Sequence, residues 1–192
     1  ASSLGYFLTP LVNVFLGLVV LRERLNRLEW WAVGLALLAV VNEVVSLGRL
    51  PWLSLCLAGT FGCYGLVRKQ VPVDAVSGLW LETLAMLPIC AIYAVWAERA
   101  GHAVFSGHDQ RTWLLLIVAG IITALPLMAF AAATRRLNLA SVGMLMYINP
   151  TLQFLTAVKI FGESLQPARA ITFALIWAGL LLFSWSAWRK NR

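Results

Sequence analysis

Charged residues are scarce in this chain, and their scarcity excludes most soluble folds. Of the 192 residues, 12% are charged and 61% are hydrophobic, whereas a soluble domain carries about 25% and about 45–50%. Lipid rather than water is therefore expected to surround most of the chain. The net charge of +7 does not indicate nucleic acid, because the basic residues lie between apolar runs and form no stripe on one face.

Cysteine and histidine are also rare. The three cysteines, Cys56, Cys63 and Cys90, fall inside apolar runs and show neither metal-ligand spacing nor a disulfide framework. We expect them to act as small packing residues. The two histidines, His102 and His108, lie in a connecting segment, and there is no HExxH motif. We therefore expect no cofactor, no metal site and no enzymatic activity.

Long apolar runs dominate the chain. A membrane-spanning helix needs about 20 mostly apolar residues, and seven runs come near that length. A strand interpretation fails, because backbone groups in lipid must be paired within the segment. We therefore predict an all-α integral membrane protein with seven transmembrane helices. The runs cover residues 4–21, 28–46, 51–67, 76–96, 112–133, 139–161 and 168–187.

Lysine and arginine are distributed unequally between the two ends of these runs. The ends of the first, third, fifth and seventh runs carry ten of the 15 basic residues, and the opposite ends carry the other five. The positive-inside rule makes the richer side cytoplasmic. We therefore expect a multi-pass protein of the bacterial inner (plasma) membrane with a cytoplasmic C-terminus and a basic tail at residues 189–192.

An internal repeat organises the chain. Residues 5–25 align without a gap with residues 145–165. The repeat unit holds five runs, and an odd number makes the second copy cross the membrane in the opposite direction, as in many secondary transporters. The offset of 140 residues pairs two prolines, two amides and two glutamates, namely Pro10 with Pro150, Asn13 with Gln153, and Glu23 with Glu163.

The repeat divides the chain into unequal parts. Residues 1–46 would be the last two helices of a truncated first unit, and residues 51–188 would be a complete second unit. The whole would then be the C-terminal part of a ten-helix (5+5) inverted-repeat transporter, without its first three helices. The chain starts with Ala1 and not with Met, which agrees with this expectation.

Four prolines, Pro10, Pro88, Pro126 and Pro150, lie inside runs. An interior proline removes a backbone hydrogen bond and kinks the helix. In transporters such kinks often line a cavity near the middle of the bilayer. A kink that serves packing alone is the alternative for each of them.

Polar residues beside the related kinks are the candidates for a substrate site. In apolar surroundings they need partners, which are either neighbouring helices or a polar substrate. Glu82 lies about two turns inside its helix, where an ionisable group usually marks a pathway or a proton relay. Pairing with Arg68 or Lys69 is the alternative for Glu82. The candidate set is Tyr147, Asn149, Pro150, Gln153, Asn13, Pro10 and Glu82, while Glu23 and Glu163 are expected to form structural ion pairs.

Five motifs spread over the chain carry a resemblance to a known family. They are SLGYFLTPLVN at 3–13, YGLVRK at 64–69, GLWLET at 78–83, TALPLMAFAAATRRL at 123–137 and YINPTLQFL at 147–155. Together they resemble the drug/metabolite transporter superfamily and, within it, the EamA-type permeases, above all the RarD-type ("chloramphenicol-sensitive protein") group. The resemblance implies two inverted five-helix halves with both termini cytoplasmic, and export or exchange of small metabolites or drug-like compounds.

The predicted function is a permease or exporter that works by alternating access between its repeats. The expected partners are the lipid bilayer and a small-molecule substrate, whereas nucleic acid is not expected. Proton coupling and a homodimer stay open. A non-transporting membrane assembly subunit, or an inactive fragment of the permease, is the alternative function.

Overall fold

The computed structural model describes residues 5–48, 52–101, 109–162 and 167–190. Within these ranges every regular element is an α-helix, so the all-α prediction is confirmed for this part of the chain. The helices are α1 (Gly5–Val19), α2 (Arg27–Leu47), α3 (Trp52–Gln70), α4 (Ala75–Arg99), α5 (Gln110–Arg136), α6 (Leu139–Met146), α7 (Ile148–Lys159) and α8 (Pro167–Lys190).

Four of these helices, α2, α4, α5 and α8, are long and apolar enough to cross a membrane. Most of the large apolar side chains of α4 and α5 are exposed. Apolar surface of this extent is far beyond what a soluble monomer shows, and it fits a chain surrounded by lipid. The free cysteines Cys56, Cys63 and Cys90 are exposed as well, so the expectation that they serve packing is wrong.

The sixth apolar run is not one helix, which corrects the prediction of a single span there. α6 ends at Met146 and α7 begins at Ile148, with a turn at Tyr147. Pro150 accounts for the break, because it has no N–H to donate to the Met146 carbonyl. The Tyr147 N–H donates instead to the Met144 carbonyl, 3.2 Å away. The other three interior prolines lie in helices that continue through them.

Helix boundaries follow the 140-residue offset. α1 ends at Val19 and α7 ends at Lys159, while α2 begins at Arg27 and α8 begins at Pro167. Both pairs of boundaries differ by the offset that aligns the two sequence segments. The two segments therefore share their helix ends as well as their residues.

The turn after α1 also has the geometry of the turn after α7. Arg22 has a positive φ of 54°, and Gly162, which matches it at the offset, has a φ of 65°. The N–H groups of Val20 and Ile160 each donate to the carbonyl four residues earlier, at 2.9 Å in both turns. The next N–H in each turn donates to that same carbonyl at 3.3 Å.

The described helices fall into two compact units, Ala1–Gln70 with Arg136–Arg192, and Val71–Arg135. In the first unit α1 packs against α3 and α6, and α2 pairs with α8. The second unit contains α4 and α5. Six of the seven predicted site residues belong to the first unit, and Glu82 belongs to the second.

α2 and α8 form a close antiparallel pair. The two helices approach each other closely at Gly179 of α8, where an added Cβ would lie 3.1 Å from the carbonyl oxygen of Ala32 on α2. Small residues permit such contacts between membrane helices. At one end of the pair the Asn42 amide donates to the Ala168 carbonyl and to the Thr172 hydroxyl, each at 2.9 Å. Asn42 is thus bonded across the helix pair through its amide nitrogen.

Candidate functional site

The first part of the candidate site is the contact between α1 and α6. Pro10 on α1 is buried, and its carbonyl oxygen points at Gly143 on α6, where an added Cβ would lie only 2.6 Å away. No side chain larger than hydrogen fits at Gly143 without a backbone shift. The glycine therefore sets how closely the two helices approach.

Asn13 lies one turn after Pro10 at this contact and is fully buried. Its amide nitrogen donates to the Met146 sulfur at 3.1 Å, which is a weak acceptor. Its carbonyl oxygen has no hydrogen-bond partner among the described residues. A buried acceptor left unpaired costs about 1–3 kcal/mol, so Asn13 carries an unused hydrogen-bonding capacity.

Tyr147 and Pro150 are buried on the other side of the same contact. The Tyr147 hydroxyl donates to the Phe7 carbonyl at 3.2 Å. Phe7 and Tyr147 are themselves separated by 140 residues, so the bond joins equivalent positions of the two aligned segments. Pro10 and Asn13 thus lie at the contact between α1 and α6, and Tyr147 bonds to α1 through Phe7. Their role in a substrate site stays a prediction.

Asn149 and Gln153 lie elsewhere on α7. Both side chains are exposed, and the Gln153 amide nitrogen is 3.4 Å from the Asn149 side-chain oxygen. They lie near the middle of the predicted sixth span, where amides that face hydrocarbon are costly. The predicted set thus includes an exposed amide pair, Asn149 and Gln153, as well as buried residues.

An aromatic cluster next to α7 was not predicted. Phe154 stacks on Phe173 with ring centroids 4.1 Å apart, and Phe7 contacts Phe173 edge-on at 5.7 Å. Trp177 packs against the rings of Phe154 and Phe173. Its indole N–H donates to the Thr151 hydroxyl at 3.3 Å. Part of this cluster could have been predicted from the sequence, because Phe154 follows Pro150 by one turn and Trp177 follows Phe173 by one turn, which puts each pair on one helix face.

Glu82 lies on α4, two turns after the first residue of the helix, and is partly exposed. Leu79 and Thr83 of the same helix line a cavity of about 390 Å³ with residues of α5. The hydroxyls of Thr83 and Thr123 beside this cavity donate to carbonyls of their own helices, both at 2.8 Å. The cavity wall is therefore mostly apolar.

The expectation for Glu23 is confirmed: its carboxylate lies 3.5 Å from the Lys69 ammonium. Glu163 lies outside the described residues, as do His102 and His108. No group of three or more His, Cys, Asp or Glu side chains in the described ranges is arranged to hold a metal ion.

Known relatives match nearly all of this chain. An "Uncharacterized transporter" of Vibrio cholerae serotype O1 is 46% identical over 183 residues, which are 95% of this chain and 61% of the relative. "Protein RarD" of Escherichia coli K12 is 43% identical over 182 residues, 95% of this chain and 62% of the relative. The "Chloramphenicol-sensitive protein RarD" of Pseudomonas aeruginosa is 38% identical over 190 residues, which are 99% of this chain and 63% of the relative.

This chain is similar to the RarD-type proteins over nearly its whole length. The resemblance carried by the five motifs is thereby confirmed, and the chain is a multi-pass membrane protein whose relatives are named as transporters rather than as enzymes. It spans a little under two thirds of the length of these relatives. No family model matches the chain, and no solved structure matches it.

Proposed function

We propose that this chain acts in a secondary permease for small metabolites or drug-like molecules, and that transport proceeds by alternating access between inverted repeats. Residues 1–46 would end the first repeat, and residues 51–188 would form the second. The shared helix boundaries and the shared turn geometry at the 140-residue offset support this division. The excess of basic residues at one set of run ends supports a cytoplasmic C-terminus.

The unsatisfied oxygen of Asn13 is the observation that carries the proposal. Asn42 offers the comparison, because it too is an amide within a membrane helix, yet its nitrogen makes two hydrogen bonds of 2.9 Å to α8. Asn42 therefore makes the hydrogen bonds of a polar residue that holds two membrane helices together. Asn13 has one weak bond to sulfur, and its oxygen has no partner among the described residues. This leaves the oxygen available to an N–H or O–H donor of a substrate.

The exposed amide pair on α7 supports the same assignment. Asn149 and Gln153 bond to each other and otherwise face away from the packed core. Amides at this depth are tolerated where they line a water-filled cavity. We assign them, together with Asn13, to the wall of the substrate pathway, with Pro10, Tyr147 and Pro150 forming the hinge region beside it. Glu82 is assigned to charge control and proton coupling, and a homodimer stays a prediction.

The test uses the intact protein in sealed vesicles and measures uptake of a panel of amino acids and amphenicol drugs. Asn13→Ala is expected to reduce uptake per folded molecule about tenfold, the value of one charge-free hydrogen bond of about 1.4 kcal/mol, and to change the melting temperature little. The matched variant Asn42→Ala is expected to lower the melting temperature and to keep uptake per folded molecule. Equal uptake by wild type and Asn13→Ala would remove Asn13 from the site.

A further inference from the structure

Glu23 caps a helix that lies more than a hundred residues away along the chain. Its two carboxylate oxygens accept the N–H groups of Leu139 and Ala140 at 2.7 and 2.9 Å. These belong to the first turn of α6, where N–H groups have no partner within the helix and carry partial positive charge. Asn138, the residue at the N-cap position, makes no side-chain capping bond. Glu23 supplies the cap instead.

The same carboxylate reaches a third helix. Lys69, in the last turn of α3, has its ammonium 3.5 Å from Glu23, and it also donates to the Leu137 carbonyl just before α6. The Glu23 side chain is only 7% exposed and the Lys69 side chain 20%. An ion pair sheltered in this way is screened less than a surface pair. One carboxylate therefore ties the end of α1 to the end of α3 and the start of α6.

The backbone around Glu23 is shaped to deliver this carboxylate. Arg22 adopts a left-handed conformation with φ 54°, and the Glu23 N–H donates back to the Gly17 carbonyl at 3.0 Å. A Cβ at Gly17 would lie 2.6 Å from a carboxylate oxygen of Glu23. Gly17 thus leaves the space that the carboxylate occupies, and the turn at Arg22 directs the chain into it.

We propose that Glu23, with Lys69 and the first turn of α6, is the latch of the cytoplasmic gate. The proposal rests on the proposed function, in which α1 belongs to one repeat and α3 and α6 belong to the other. When repeats rock apart at this face, α1 must leave α6, and the carboxylate must give up its donors. The bonds of Glu23 exist in the state that is closed at this face and are lost in the open state, so Glu23 sets the balance between them. It is a positioning residue and is not assigned to substrate contact.

A buried reporter on α6 tests the latch independently of transport. Ala140 is fully buried beneath the carboxylate, so Ala140→Cys, in an intact protein whose native cysteines are replaced, should react slowly with a membrane-impermeant maleimide added from this face. Glu23→Gln removes the ion pair and one charge-assisted hydrogen bond. It should raise the labelling rate about tenfold.

Two further variants separate gating from loss of charge or of structure. Gly17→Ala keeps the glutamate but displaces its carboxylate, and should also raise labelling. Lys69→Met keeps the bonds to α6 and should give a smaller rise. The matched control is Glu29→Gln, because Glu29 is a buried carboxylate whose shortest bond, 2.8 Å from the Asn26 N–H, lies within its own helix start. This control should leave labelling at the wild-type rate.

The outcomes distinguish the latch from the permease assignment. Faster labelling in Glu23→Gln and Gly17→Ala, with melting temperatures near wild type, supports the latch. Wild-type labelling rates in both variants overturn it, and so does unfolding of both, which would make the contact purely structural. Uptake is measured on the same samples. If the labelling rate rises in these variants but the wild-type protein takes up no compound, the proposed function is contradicted and the latch is still supported.

Discussion

Backbone strain in the first unit is concentrated at one residue. Arg22 has a positive φ, and it alone among the non-glycine residues of the described ranges does so. A left-handed conformation costs a residue with a side chain about 1–2 kcal/mol. The matching turn after α7 has Gly162, which adopts this conformation without steric cost. The strain at Arg22 therefore arises because this residue carries a side chain, since the same turn conformation is unstrained with glycine.

Arg22→Gly is expected to stabilise the protein by about 0.5–1 kcal/mol, because the relief of left-handed strain outweighs the added freedom of the unfolded chain. The measurement is the thermal unfolding midpoint of the purified protein in detergent. Arg24→Gly is the control, since Arg24 is also exposed and has no positive φ, and it should be neutral or destabilising. A midpoint of Arg22→Gly at or below that of Arg24→Gly would contradict the explanation.

The helices of this chain are held at their ends by carboxylates and amides. α2 begins in a capping box, in which Asn26 and Glu29 bond each other's backbone N–H groups, and such a box satisfies two donors at once. α4 is capped by Asp74, whose carboxylate accepts the N–H groups of Val76 and Ser77 at 3.1 and 3.0 Å. α6 differs, because its cap comes from a distant helix.

The cap of α4 gives a pH dependence with a defined sign. Hydrogen bonds from the Ser77 side chain and backbone lower the pKa of Asp74 below its ordinary value of 3.8. A carboxyl whose pKa is lower in the folded state contributes stability above the unfolded pKa and loses it as the pH falls through the folded value. Wild type should therefore lose a small part of its thermal stability below about pH 4.

Asp74→Asn keeps a capping side chain, since asparagine is as good an N-cap as aspartate, but it cannot titrate. Its midpoint should stay within a few degrees of wild type at pH 7 and should fall less than that of wild type on acidification. Thermal unfolding of both proteins across the acid range measures this difference. Parallel acid profiles of the two proteins would show that the cap does not carry the pH dependence.

At the scale of the whole molecule, apolar length was enough to predict the fold class. The second run, 28–46, corresponds closely to α2, and the helix ends of the two repeat segments follow the offset read from the sequence. These features are local, because each depends on residues within one helix or its turn. The break at Tyr147 was missed, although Pro150 was noted, because the number of residues that a proline disrupts depends on what packs around it.

The site was predicted less completely, because its contacts are long-range. Sequence spacing relates Asn13 to Gln153, yet the structure buries the first and exposes the second. The bond from Glu23 to α6 spans 116 residues, and the stacking of Phe154 on Phe173 joins two helices. Contacts of this kind follow from tertiary packing, which periodicity and composition do not specify.

The most direct test of the permease assignment is uptake into sealed vesicles that hold the intact protein, with and without a pH gradient. We predict saturable accumulation of at least one small metabolite or drug-like compound. If Glu82 is in the proton relay, as proposed, accumulation will need the gradient, and Glu82→Gln will lower the gradient-driven accumulation. Uptake that never exceeds that of empty vesicles across the panel, with the protein folded and inserted, would contradict the assignment and favour a non-transporting assembly subunit.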